Sequence, residues 1–157
     1  MEIKELGHLV LYVRDIDRSA RFYGEVLGWR DITPAPPGGS GERLPVAAFS
    51  APSGRTHHEL LLIEVGADAA APPPGRRVGL YHVGLKVGDS DEELREALTR
   101  LQESGVALLG SSDHGVTHSL YLADPDGNEI ELYVDVPGVD WRADPGAVFT
   151  PARPLHL

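Results

Sequence analysis

Two stretches of this chain repeat one another. "HLVLYVRDID" at 8–17 and "HVGLKVGDSD" at 82–91 align without a gap, which sets His8 on His82 and Asp15 on Asp89. An internal repeat narrows the fold more than any single element does, because each copy is one supersecondary unit with the same faces to bury. In both copies apolar residues alternate at strand period up to an Asp or Ser, where helical spacing takes over. The first copy continues through Ser19, Phe22, Val26 and Leu27 and stops at Gly28. In the second, Ser90 and Glu93 have capping-box spacing, Leu94, Leu98 and Leu101 make an apolar stripe, and Gly105 ends the helix. Short strand-like runs follow each helix, at 29–33, 45–50 and 58–65 and then at 107–109, 118–123 and 129–134. The pattern is β-α-β-β-β twice. It predicts an α+β fold of two βαβββ modules whose curved mixed sheets pair to enclose a metal-binding cavity. One domain spans 1–157, with module one at about 5–66, an Ala/Pro/Gly-rich connector at about 67–78, module two at about 79–136 and a tail at 137–157. The Pro/Gly-rich 33–43 segment reads as a long exposed loop.

Charge and residue usage exclude several classes. The chain carries 24 acidic and 14 basic side chains, a formal net charge of −10, with no Lys/Arg cluster to track a phosphate backbone, so nucleic acid is not an expected partner. It has no cysteine, which rules out disulfides, thiolate metal ligands and a Cys nucleophile. Seven histidines are left as the chemically versatile set. "MEIKELGHLV" has neither the basic start nor the apolar centre of a signal peptide, and no apolar run approaches membrane-spanning length. The expectation is a cytoplasmic protein without a membrane partner.

One residue asks for a counter-charge. Glu131 lies in the strand-like run "EIELYVD", between Ile130 and Leu132, where a carboxylate is costly to bury unless a metal ion or an arginine holds it; facing solvent, it needs neither. His8, His82 and Glu131 supply two imidazoles and one carboxylate from separate strands, the donor set of a 2-His-1-carboxylate site for Fe(II) or Mn(II). Taken singly, each histidine is more simply a strand residue bonded to backbone. Their matched places in a repeat argue against coincidence.

The segments "GHLVLYVRDIDRSARFYGEVLGW", "RTHHELLLIEV", "LYHVGLKV" and "DHGVTHSLYLADPDGNEIELYVD" resemble the vicinal oxygen chelate superfamily, and within it the type I extradiol (catechol 2,3-type) dioxygenases, over most of residues 6–141. The resemblance implies that His8, His82 and Glu131 bind the metal, Fe(II) first and Mn(II) next. It makes His58 the acid/base histidine, Tyr121 the group that bonds a substrate oxygen, and His114 a further substrate contact. The substrates it implies are a small aromatic diol and dioxygen, in aromatic-compound catabolism. The segment from His114 to Tyr121 is shorter here than in two-domain ring-cleaving enzymes, and their extra N-terminal modules are missing, so this chain looks like a one-domain version. His118 is left as a pocket-wall or surface residue, and His156 as tail.

The same superfamily offers other chemistries. Glyoxalase-like lyases or isomerases use a fourth ligand from the last strand of module one, where Glu59 stands, with Ni, Zn or Co as metals. Adjacent strand residues face opposite ways, so a regular strand turns only one of His58 and Glu59 inward. Matching "HHELL" to "EIELY" on Glu-Leu turns Glu59 inward, a one-residue shift turns His58 inward, and the dioxygenase resemblance favours His58. A metal-free drug-binding resistance protein would leave the ligand types unexplained. The 139–157 tail could as easily cover a neighbouring protomer as its own pocket, so a homodimer is possible.

Overall fold

Asp15 ends one element and starts the next. In the computed structural model, which describes residues 1–35 and 44–157, its extended backbone closes β1 (Leu9–Val13) while its carboxylate accepts the Arg18 amide at 2.9 Å and caps α1 (Ile16–Arg21). Most of the 33–43 loop named above lies outside the described residues. The chain divides into two units, Met1–Ala71 and Pro72–Leu157, each with one helix-bearing sheet.

In the first unit α1 runs on into a π-helical turn, Phe22–Val26, and stops at Gly28, whose φ of 82° suits glycine. Then come β2 (Arg30–Asp31), β3 (Val46–Ser50) and β4 (Leu60–Glu64). The sheet order is β1-β4-β3-β2, with β1 parallel to β4 and the other pairs antiparallel. Strand alternation divides its faces. Leu11, Val13, Ala47, Phe49, Leu60 and Leu62 are buried along with Ile16, Ala20, Phe22 and Tyr23, whereas Val10 and Tyr12 on the opposite face are 42% and 70% exposed. Glu64 ties helix to sheet by accepting the Ile16 amide at 2.8 Å.

The second unit repeats the plan. β5 (His82–Gly88) leads to α2 (Asp91–Glu103), then β6 (Leu108–Asp113), β7 (Thr117–Ala123) and β8 (Glu129–Asp135), in the order β5-β8-β7-β6 with β5 parallel to β8. Ser90 accepts the Glu93 amide, and the Glu93 carboxylate reaches back to the Asp89 amide at 2.8 Å, closing the expected cap. Leu94, Leu101, Leu120, Leu122, Ile130 and Val134 form the apolar layer under the helix. The β7–β8 turn depends on Asp124, whose Oδ1 accepts the Asp126 and Asn128 amides, and on Gly127 at φ 90°.

One expectation shifts. β6 runs to Asp113, well past the apolar stretch, because an edge strand needs backbone partners on β7 rather than hydrophobic side chains. The tail packs on its own unit: Arg153 and Asp113 exchange backbone hydrogen bonds at 2.8 and 2.9 Å, and Leu155 joins the Leu94–Leu120–Val134 cluster. Among the described residues no helix is long and apolar enough to cross a membrane.

Candidate metal centre

Register places the chemistry of the second unit on one face of its sheet. Ile130, Leu132 and Val134 of β8 turn toward the helix, so Glu129, Glu131 and Tyr133 point the other way. Glu131 is flanked by Gly84 of β5 and Tyr121 of β7, while Glu129 lies opposite His82. The Tyr121 hydroxyl donates to Glu131 Oε1 at 2.9 Å, and Oε2 lies 3.2 Å from His82 Nε2. The Tyr121 oxygen is also 2.7 Å from His114 Nε2. His82, Glu131, Tyr121 and His114 therefore form one continuous polar chain. Burial first, and then the Glu131 charge, push the Tyr121 phenol well above its ordinary pKa, which keeps it a protonated donor. Gly84 lies beside the carboxylate: a Cβ there would make ordinary contact with Glu131 Oε2 at 3.5 Å and with Tyr133 at 3.4 Å.

One pair of these donors stands at ligand spacing. Two ligand atoms each about 2.1 Å from one ion stand about 3.0 Å apart at a right angle and about 3.4 Å apart at a tetrahedral one. The 3.2 Å between His82 Nε2 and Glu131 Oε2 falls inside that interval. Among the described residues no group of three His, Asp or Glu side chains gathers closely enough to hold an ion as it stands.

The first unit has its own group of imidazoles. His8 immediately precedes β1, and its ring centroid is 4.7 Å from that of His58 and 6.0 Å from that of His57. Nδ1 atoms of His57 and His58 are 2.6 Å apart, and His58 Nε2 is buried without a hydrogen-bond partner. Burial, and then the His57 and His8 rings, lower the His58 pKa against a small opposing pull from Glu59. His58 is thus held as a neutral imidazole.

Glu59 has another occupation. Its Oε2 accepts the Ala51 amide at 2.9 Å, bracing the turn between β3 and β4. Burial raises its pKa, but the amides of Ala51, Thr56 and Arg55 and the Ser50 hydroxyl outweigh it and hold the carboxyl below its usual range. His58 and Glu59 both precede β4, and the chain bends at Glu59, whose amide and carbonyl nevertheless bond Phe49 and Leu9 at 3.0 and 2.9 Å. The two registers also correct the sequence matching. Leu9 pairs with Leu60 as Val83 pairs with Ile130, so the counterpart of Glu131 is Leu61, and Glu59 corresponds to Glu129. The position that mirrors Glu131 is aliphatic.

Other histidines lie elsewhere. His118 is on the helix side of β7, with Nδ1 2.5 Å from Asp91 Oδ1 at the start of α2, and His156 is exposed in the tail. Sequence reasoning passed over Tyr81 and Glu129. The strand-period Glu-x-Glu of "EIEL" was the available signal for Glu129.

Comparison with known proteins agrees with this architecture. The chain is 36% identical over 143 residues to a catechol-2,3-dioxygenase of Bacillus subtilis, covering 91% of this chain and 46% of that protein. It is 31% identical over 135 residues to an iron-dependent extradiol dioxygenase of Rhodococcus jostii, covering 81% of this chain and 42% of that one. The chain thus spans less than half the length of either relative. A glyoxalase/dioxygenase from Nostoc punctiforme superimposes with a TM-score of 0.65 at 26% identity, over 84% of this chain and 91% of that one. A family model matches residues 5–132, and on that match the chain belongs to the Glyoxalase/Bleomycin resistance protein/Dioxygenase superfamily.

Proposed function

We propose that this chain is a metal-dependent extradiol dioxygenase that opens the ring of a small catechol-type diol beside its two hydroxyls. The observation that carries the reading is the Glu131 carboxylate, bonded by Tyr121 and facing the Nε2 edge of His82 at ligand-to-ligand spacing. His8, His82 and Glu131 would hold the ion, with Fe(II) first because a relative is iron-dependent and Mn(II) as the next choice. When bound, such an ion supplies open positions for diol and dioxygen and makes the diol easier to deprotonate.

The protein's own groups have distinct parts in this scheme. His58, kept neutral by burial and by its imidazole neighbours, accepts a proton from a diol hydroxyl and later returns it as the ring C–C bond breaks. Both atoms of dioxygen end in the ring-opened acid-aldehyde, so no further reductant is needed. Tyr121 stays protonated, and its single O–H, given to Glu131 in the free protein, would turn to a diol oxygen when substrate binds. His114, at the far end of the same chain, orients the Tyr121 hydroxyl and approaches the substrate.

Support for this reading over a glyoxalase-type reaction comes from the first unit. There Leu61 stands where a second ligand carboxylate would mirror Glu131, and Glu59 gives one oxygen, Oε2, to the Ala51 amide, with Oε1 buried and unpartnered. The test is anaerobic Fe(II) loading followed by a panel of catechols, with oxygen uptake and the visible absorbance of ring-opened product recorded. Turnover of a glutathione hemithioacetal without oxygen uptake would overturn the assignment.

A further inference from the structure

The Ser119 hydroxyl has no part in the scheme above. Ser119 lies in β7, two residues before Tyr121, so strand alternation puts both side chains on the face that carries Glu131. Across the ladder it stands between Ser112 of β6 and Tyr133 of β8, and it is fully buried. Its Oγ completes no hydrogen bond. Such a hydroxyl has given up water without compensation, which favours any small movement that finds it an acceptor. The Tyr121 oxygen is within its influence: Ser119 draws that phenol's pKa down, against the larger upward effects of burial and then of Glu131.

We infer that Ser119 is the positioning residue of Tyr121: its O–H donates to the phenol oxygen from within the sheet and commits the single Tyr121 O–H outward, to Glu131 in the free protein and to the diol when substrate binds. A phenol has one proton to give and an oxygen that also accepts. Of the groups around it, the Glu131 carboxylate can only accept, whereas His114 and Ser119 can each give or take. The Ser119 proton has no other acceptor among the described residues, so it goes to Tyr121, and rotation about the Ser119 Cα–Cβ bond is the movement required. A lone pair filled in this way stops the Tyr121 O–H from turning back toward the strand. The repeat supplies a contrast. Leu61, the mirror of Glu131, pairs with Ala48 as Glu131 pairs with Tyr121, and Ile63 pairs with Val46 as Tyr133 pairs with Ser119. In the first unit both hydroxyls are thus replaced by aliphatic residues, so the fold does not require a serine here, and the serine occurs where the phenol does. The inference rests on the reading that Tyr121 bonds the diol, but the contact between the two side chains is decided without substrate.

The experiment uses the full chain labelled with carbon-13 at the tyrosine ring carbon that bears oxygen, whose NMR signal responds to hydrogen bonds at the phenol. Tyr121 is assigned from Tyr121→Phe. In the metal-free protein Ser119→Ala should shift the Tyr121 signal, and Ser119→Thr, which keeps the hydroxyl, should return it toward the wild-type position. After Fe(II) loading, Ser119→Ala should lower kcat/KM for catechol about 2–10-fold, the worth of one neutral hydrogen bond, with metal affinity unchanged. In the Tyr121→Phe background the same substitution should cost nothing further, because the group it acts through is gone. An unchanged Tyr121 signal in Ser119→Ala, a shift that threonine does not reverse, or an equal kcat/KM loss with and without the Tyr121 hydroxyl overturns the inference. A wild type that opens no catechol overturns the dioxygenase reading instead, while the metal-free tyrosine signal still decides whether Ser119 holds Tyr121.

Discussion

His58 and Glu59 are neighbours with opposite duties. If His58 moves the diol proton, His58→Gln keeps metal and catechol binding while ring opening slows about 10²–10⁴-fold, measured as oxygen uptake at saturating catechol. Glu59→Ala should leave metal affinity unchanged and cost about 1 kcal/mol of stability, because it frees the Ala51 amide and loosens the turn before β4. The sign with pH follows from the lowered Glu59 pKa. A carboxyl more acidic folded than unfolded stabilises the protein above its unfolded pKa and loses that contribution as pH falls through its folded one. The difference in melting temperature between wild type and Glu59→Ala should therefore shrink on acidification below the usual carboxylate range. Sequence alone left these two residues as a parity choice. It could not show that regular pairing in β4 begins only at Leu60, with Glu59 at a bend where its carboxylate takes the Ala51 amide while its backbone still bonds Phe49 and Leu9.

Elements carry the next level of specification. Helix α2 was readable from its cap and leucine stripe, and Leu94, fully buried beneath it, should cost about 2–5 kcal/mol on replacement by Ala, read from the urea midpoint. The tail was not readable as part of this unit, because its apolar residues lack a period. Its hold on the site comes through the turn that carries His114. Arg153 pairs with Asp113 on one side of His114, and a Cβ on Gly115, on the other side, would meet Thr150 at 3.2 Å. Removal of residues 150–157 should raise amide hydrogen exchange at Asp113, whose N–H bonds the Arg153 carbonyl, and should weaken catechol binding more than metal binding. Unaltered exchange there would show that the tail does not hold this turn.

Over the whole chain, the proposed centre makes metal binding and stability one quantity. One divalent ion per chain is expected, with melting temperature rising on loading. Glu131→Ala should remove most of the metal, because it deletes the sole anionic member of the His8, His82 and Glu131 set. Full metal retention in that variant, measured by elemental analysis, would refute the ligand assignment. The sequence by itself determined the duplicated β-α-β-β-β plan, since alternation, caps and turn residues are local signals that each copy states independently. It also singled out Glu131 as a carboxylate in want of a partner. Only the tertiary structure decided which partners it has. Tyr121, Gly84 and His82 reach it through cross-strand register, and register is set by pairing between segments far apart in the chain. The same register assigned Leu61, not Glu59, as the mirror of Glu131, and set Glu129 opposite His82.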